Sequence, residues 1–298
     1  MPRPYAILDV FTATPLEGNG LAVVLDAEGL TGEAMQKIAR EFNLSETVFV
    51  LPPDNPVHEA KLRIFTPAEE LSFAGHPTVG TAVLLAIDRG RAASGDGLLI
   101  LEEGVGPVRC GVSLHEGGGR ARFDAPRLAA QENAAPAADR VAAALGIDTA
   151  DVGFENHATS AWSMAGVGYV FVPLRNRAVV AASRPQFPAF ADVFGERIVY
   201  VYARDTVSVG RQVHARMFAP TLGISEDPAT GAAAVVMASV LHRFDAHPLG
   251  SHTAIIEQGF EMGRPSLIEL EFDIEADGLV AVRVGGAAVI VARGTLNI

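Results

Sequence analysis

A pattern that occurs twice in one chain constrains its fold strongly, because each copy has to build a similar local structure. Here Arg63-Ile64-Phe65-Thr66-Pro67 is followed, after a short gap, by Gly75-His76-Pro77-Thr78-Val79-Gly80-Thr81-Ala82. Arg216-Met217-Phe218-Ala219-Pro220 is followed, after a gap two residues shorter, by Glu226-Asp227-Pro228-Ala229-Thr230-Gly231-Ala232-Ala233. The shared pattern is Arg-x-Phe-x-Pro and then His or Asp, Pro, two residues, and Gly-x-Ala. Each copy leads into a stretch, 79–87 and 229–241, that is apolar or small almost all the way round. A helix of that kind must be buried on every side.

The segments around those helices read as strands. Short apolar or β-branched runs bounded by turn residues fall at 5–10, 20–25, 47–51, 62–65, 98–101 and 108–112 in the first half, and at 169–173, 198–203 and 253–257 in the second. An amphipathic helix is predicted from the cap Thr31 to about Asn43, and another from about 137 to Leu145, stopped by Gly146. Ile268, Leu270, Phe272 and Ile274 alternate with acidic residues, and Asp277-Gly278 then precedes Val280, Val282 and Val284, the pattern of a hairpin with one dry face. Strict βαβ alternation is missing, which disfavours a doubly wound parallel fold. The expected class is α+β: two similar halves, each a mostly antiparallel sheet rolled around a central helix and related by an approximate twofold axis. The small, polar stretch 126–136 reads as the linker, dividing the chain into halves 1–125 and 126–298, with a last strand at about 287–298 that could return to the first.

Bulk properties narrow the class of function. A formal charge of −12 argues against phosphate-backbone binding. Cys110 is the only cysteine, so an intrachain disulfide is impossible, and no Cys/His spacing resembles a zinc site. No signal peptide and no bilayer-length apolar run is evident, so a cytoplasmic protein without membrane or nucleic-acid partners is expected. No dinucleotide fingerprint, Walker loop, Gly-x-Ser-x-Gly elbow or His-Glu-x-x-His occurs.

With proline expected at the first helical position, His76 and Asp227 both read as N-cap residues, set in equivalent places by the repeat. A helix start offers free N–H groups and partial positive charge, which suits a substrate carboxylate. If both starts faced one cleft, His76, Asp227 and the nearby amides would converge on one ligand. Asp before Pro is a common cap, but a purely structural repeat has no reason to exchange that cap for an imidazole. Glu46, where a helix gives way to a strand, shares a strand face with Val48 and Val50. A carboxylate on an apolar face is partly desolvated, which raises its pKa toward the range where it can take and return a proton; the competing reading is an exposed strand-end glutamate.

Six strings occur in order along the chain: Asp9-Val10-Phe11-Thr12, Gly18-Asn19-Gly20-Leu21-Ala22-Val23, Asn43-Leu44-Ser45-Glu46-Thr47, Ala74-Gly75-His76-Pro77-Thr78, Glu226-Asp227-Pro228-Ala229-Thr230-Gly231 and Gln258-Gly259-Phe260-Glu261-Met262-Gly263-Arg264-Pro265-Ser266. Together they resemble the successive motifs of the PhzF-like phenazine-biosynthesis family. The resemblance implies a diaminopimelate-epimerase-like fold, a homodimer, a site between the halves, and an isomerase needing no metal or organic cofactor. In phenazine-making members the reaction isomerises trans-2,3-dihydro-3-hydroxyanthranilate with a glutamate as proton carrier. That role falls on Glu46, with His76 and Asp227 as the other catalytic groups and Asn19, Gly75, Pro77, Thr78, Gly231, Ala232 and Gly259 as substrate-binding positions.

Two positions depart from the family pattern: Gly20 stands where proline is usual, and Ala232 where serine is frequent. The missing hydroxyl bears on substrate identity more than on reaction class. The paired-cysteine mechanism of related racemases is excluded by the single Cys110, which reads as a buried strand residue. Two alternatives stand beside the phenazine reaction: an isomerase or epimerase of another amino-acid-like metabolite, and a silent binding protein, against which the joint presence of Glu46, His76 and Asp227 speaks.

Overall fold

The computed structural model describes residues 2–90 and 97–298. Its chain divides into two units, Met1–Pro126 with Arg283–Ile298, and Arg127–Val282. The first runs β1 (Pro2–Val10), β2 (Asn19–Val24), α1 (Gly32–Phe42), β3 (Glu46–Leu51), β4 (Ala60–Phe65), β5 (Glu70–Leu71), α2 (Gly75–Asp88), β6 (Gly97–Glu103), β7 (Gly106–His115) and β8 (Gly118–Asp124). The second runs β9 (Ala130–Gln131), α3 (Ala138–Leu145), β10 (Ser160–Met164), β11 (Val167–Pro173), α4 (Arg177–Ala182), α5 (Ala189–Phe194), β12 (Ile198–Ala203), β13 (Val213–Ala219), β14 (Ile224–Asp227), α6 (Gly231–Phe244), β15 (Gly250–Gln258) and β16 (Ser266–Glu275). The final strand, β17 (Gly278–Asn297), begins beside β16 and ends in the first unit.

In the first unit β1 pairs with β2, β2 runs parallel to β3, β3 antiparallel to β4, β4 parallel to β6, and β6, β7 and β8 follow as antiparallel neighbours. β17 then pairs with both β8 and β1. These strands therefore close into an eight-stranded ring, β1-β2-β3-β4-β6-β7-β8-β17, which leaves no free edge among them. Inside lies α2, buried from Gly75 to Ala86 and packed on β1, β2, β3, β6, β7 and β8. Its small residues are what let it fit: a Cβ on Gly80 would lie 2.7 Å from both Leu21 Cδ2 and Val10 Cγ2. Outside the ring, α1 lays Met35, Ile38 and Ala39 over Val24, Phe49 and Phe65. Thr31 accepts a hydrogen bond from the Ala34 N–H at its start, and Asn43 ends it at φ 51°.

In the second unit β10 pairs with β9 and β11, β11 runs parallel to β12, β12 antiparallel to β13, β13 parallel to β15, and β15 antiparallel to β16. The order of pairings over β10–β16 repeats that over β1–β7, and α6, buried over most of its length, stands where α2 stands. Valines and phenylalanines of α3, α4 and α5 cover β11 and β12. The stretch 126–136 contains the unit boundary and also the short strand β9. Among the described residues no helix is long and apolar enough to cross a membrane.

One local expectation is overturned. Neither His76 nor Asp227 is an N-cap: Ala74 precedes α2, which puts His76 second and Pro77 third in the helix, whereas Asp227 ends β14 and Thr230 precedes α6. Pro77 is tolerated because the whole first turn lacks intrahelical acceptors for its N–H groups. In the second unit the Gln258 side chain accepts from the Thr230 N–H at 3.2 Å and donates to the Asp227 carbonyl at 2.7 Å. Those bonds hold 228–230 outside the helix.

Candidate active site

The parallel register of β2 and β3, Leu21 opposite Glu46, brings the starts of the two strands side by side. Asn19 opens β2, Glu46 opens β3, and the first turn of α2 adds His76. Three residues far apart in sequence meet there. His76 Nε2 lies 3.3 Å from Glu46 Oε2, and its Nδ1 lies 3.3 Å from Asn19 Nδ2. His76 is 3% exposed and Asn19 1%.

This geometry sets the state of the imidazole. The Asn19 amide donates through Nδ2, so Nδ1 accepts, and the neutral ring carries its proton on Nε2, facing the carboxylate of Glu46. Burial lowers the His76 pKa from 6.5 to about 3, so the ring is neutral at ordinary pH. The residues around it are rigidly placed. Asp9 accepts from the Leu16 N–H at 2.6 Å, bracing the turn between β1 and β2, and Gly18 in that turn has φ 67° with a Cβ position only 2.3 Å from the Val10 carbonyl. Gly75 and His76 supply the N–H groups at the head of α2, Pro77 having none. Thr78 is fully buried and turns its hydroxyl inward, 2.8 Å from the Ala74 carbonyl and 2.7 Å from Glu103 Oε1.

The second unit builds its own polar cluster at the head of α6. Thr230 donates to Asp227 Oδ2 at 2.6 Å, and Gln258 Nε2 lies 3.0 Å from the Thr230 hydroxyl. Tyr200, at the back, donates to Gln258 Oε1 at 2.9 Å. Gly231 and Ala232 open α6, while Gly259 has φ 79° and sits so close to the Pro228 carbonyl that a Cβ would come within 2.6 Å of it.

Sequence reading missed Glu103, Gln258 and Tyr200, and it left the Arg-x-Phe half of the repeat without a role. Arg63 pairs with Glu70 at 2.7 and 2.6 Å and lies 5.1 Å over the Phe65 ring; Arg216 pairs with Glu226 at 2.7 and 2.8 Å and lies 4.7 Å over Phe218. The motif is a structural clamp tying β4 to β5 and β13 to β14. The available signal was its duplication together with a glutamate shortly after each arginine. Cys110, on β7, is wholly buried and its thiol pKa is pushed up by that burial. Among the described residues no cluster of three or more His, Cys, Asp or Glu could hold a metal ion.

Comparison with known proteins supplies a context for this geometry. A family model described as phenazine biosynthesis-like protein matches residues 8–294. An uncharacterized isomerase of Mesorhizobium japonicum is 48% identical, over 99% of this chain and 99% of its own length. The trans-2,3-dihydro-3-hydroxyanthranilate isomerase of Pseudomonas chlororaphis is 37% identical over 98% of each chain. A crystal structure of a PhzF-family phenazine biosynthesis protein of Bacillus anthracis superimposes over 100% of both chains with a TM-score of 0.88 at 26% identity.

Proposed function

Because this chain belongs to the phenazine biosynthesis-like, or PhzF, family and is an isomerase, we propose that it moves a proton between two carbons of a small carboxylate-bearing metabolite, with Glu46 as the carrier. The observation that carries this reading is the contact of Glu46 Oε2 with His76 Nε2 at 3.3 Å, in a ring whose other nitrogen is held by Asn19. A carboxylate that faces the N–H edge of a neutral imidazole at 3.3 Å, without a hydrogen bond between them, is positioned without being neutralised. It can take a proton from a substrate C–H while the C–H electron pair becomes part of a shifted double bond. The protonated carboxyl exchanges with solvent and then delivers a proton to the far carbon of the shifted system. The substrate and product have the same atoms and oxidation level, so the cycle consumes no oxidant or reductant.

The N–H groups of Gly75 and His76 suit the substrate carboxylate, since a helix start favours an anion. Asp227, Gly231, Ala232 and Gly259, which surround the head of α6, are the further positions to test for a role in substrate binding. Their place in the repeat supports this: Asp227 occupies in one copy the position His76 occupies in the other. We take the two units as copies of one folding element, a sheet around a buried helix, and the active protein as a homodimer.

Trans-2,3-dihydro-3-hydroxyanthranilate is the first substrate to test, by proton NMR in D₂O. Its conversion to an isomer with deuterium uptake supports the phenazine reaction. A second reading keeps the reaction class and changes the substrate to another amino-acid-like metabolite; it is favoured by Ala232, which removes a hydroxyl, and by the 48% identical relative, which is named for no substrate. Deuterium exchange into other amino-acid-like carboxylates, with none into the phenazine precursor, distinguishes it.

A further inference from the structure

Glu103 ends β6 directly behind the head of α2 and is 8% exposed. Its Oε1 lies 2.7 Å from the Thr78 hydroxyl, and that hydroxyl lies 2.8 Å from the Ala74 carbonyl. The Thr78 hydroxyl has one hydrogen and two neighbours at hydrogen-bond distance, a carbonyl that can only accept and the Glu103 carboxyl. Both contacts are hydrogen bonds at once only when Glu103 is protonated and donates to Thr78 while Thr78 donates to Ala74. The other oxygen, Oε2, is buried with no hydrogen-bond partner among the described residues, which a carbonyl oxygen tolerates far better than half of a carboxylate charge.

The second unit gives an independent argument. In the parallel pair β4–β6 Lys61 lies opposite Glu102, and in the parallel pair β13–β15 His214 lies opposite Glu257. The equivalence is chemical as well. Glu102 accepts the successive N–H groups of Asp54 and Asn55 and faces His58, while Glu257 accepts those of Val207 and Ser208 and faces His214. One residue further on, Glu103 therefore corresponds to Gln258, which ties down Thr230 at the head of α6 as Glu103 ties down Thr78 at the head of α2. A neutral amide does this work in one copy and a carboxyl in the other.

We propose that Glu103 is a positioning residue that works as an uncharged acid, donating to Thr78 and so fixing the first turn of α2 that carries His76, and that its ionisation loosens this turn at alkaline pH. The functional half of this inference rests on the reading of Glu46 and His76 as the reacting pair. The groups that face Glu103 are Thr78 on α2, in the same helical turn as His76, Cys110 on β7, whose thiol its charge would hold protonated, and Lys61, Arg63 and Glu70, which line a recess of about 510 Å³ with it. Arg63 is engaged by Glu70 and Lys61 by Asp54 at 2.6 Å, so neither cation pairs with Glu103. Burial pushes the Glu103 pKa up from 4.5 to about 8, and does so even with the Thr78 hydroxyl taken as a donor to the carboxylate, a contact that lowers it.

The test needs no substrate. A carboxyl that keeps its proton in the fold and loses it in the unfolded chain weakens folding as pH rises between 4.5 and about 8, by about tenfold in the folding constant per pH unit. Urea unfolding of the wild type and E103Q from pH 4 to 9 should show E103Q gaining on the wild type through that window and the gap levelling off above it. Parallel curves overturn the uncharged acid. Nitrogen-15 NMR of the His76 ring reads the positioning: its shifts should step near pH 8 in the wild type and not in E103Q. A ring signal that titrates identically in both, or in neither, overturns the coupling to His76. An absence of turnover with every substrate tried would count against the proposed reaction and leave these two results standing.

Discussion

His76 has lost the titration an ordinary histidine shows. Burial brings its pKa down to about 3, whereas the unfolded chain takes up that proton near 6.5. Between those values the unfolded state holds more protons, so this residue subtracts about 1.4 kcal/mol of stability for each unit that pH falls from 6.5 toward 3. Replacing it with glutamine should flatten the acid side of the stability curve in that window, as measured by urea unfolding at a series of pH values. Removing the amide that fixes its tautomer, in Asn19→Leu, should lower kcat by about 10–100-fold with a smaller change in KM, because the ring then loses its orientation toward Glu46. Cys110 should resist alkylation in the native protein, and Cys110→Ser should keep its activity, since the thiol is buried and lies outside the proposed reacting pair. Glu46, His76 and Asn19 were legible because each lies in a distinctive short string. Glu103 and Gln258 were not: each acts on a helix start about 25 to 30 residues earlier, through a strand register that no local pattern reveals.

The elements that place these residues depend on close backbone approach at a few glycines. Gly80→Ala puts a methyl 2.7 Å from Leu21 and Val10, and should cost about 1–3 kcal/mol as α2 is pushed from β1 and β2. Gly259→Ala is expected to be at least as costly, because its φ of 79° is added to a 2.4 Å approach to the Arg264 carbonyl. Both are read by thermal unfolding; wild-type stability in either would contradict the packing described. The capped helix α1 could be read from sequence to its end residues, since Thr31 and Asn43 act through local bonds. The starts of α2 and α6 could not. Two copies of one motif begin their helices at different points because Gln258 captures the Asp227 carbonyl and the Thr230 N–H in the second copy. Proline marks a helix start only where no neighbouring side chain competes for the same backbone.

At the scale of the whole chain, alternating strands and two all-apolar helices were legible as sheets around buried helices, while the ring closure was not. It depends on β17 reaching β1 and β8 from the far end of the sequence. Ending the chain after Val282 removes the strand between those two, so the first unit should lose its cooperative unfolding transition, as followed by circular dichroism and limited proteolysis. In the proposed reading the reacting pair, Glu46 and His76, comes wholly from the first unit. The most direct test of that account is deuterium incorporation from D₂O into the converted substrate, followed by NMR for the wild type and Glu46→Gln. The expected result is incorporation and turnover in the wild type and a loss of about 10²–10⁴-fold or more in the variant, with the fold intact. Full activity in Glu46→Gln would contradict the assignment of Glu46 as the proton carrier.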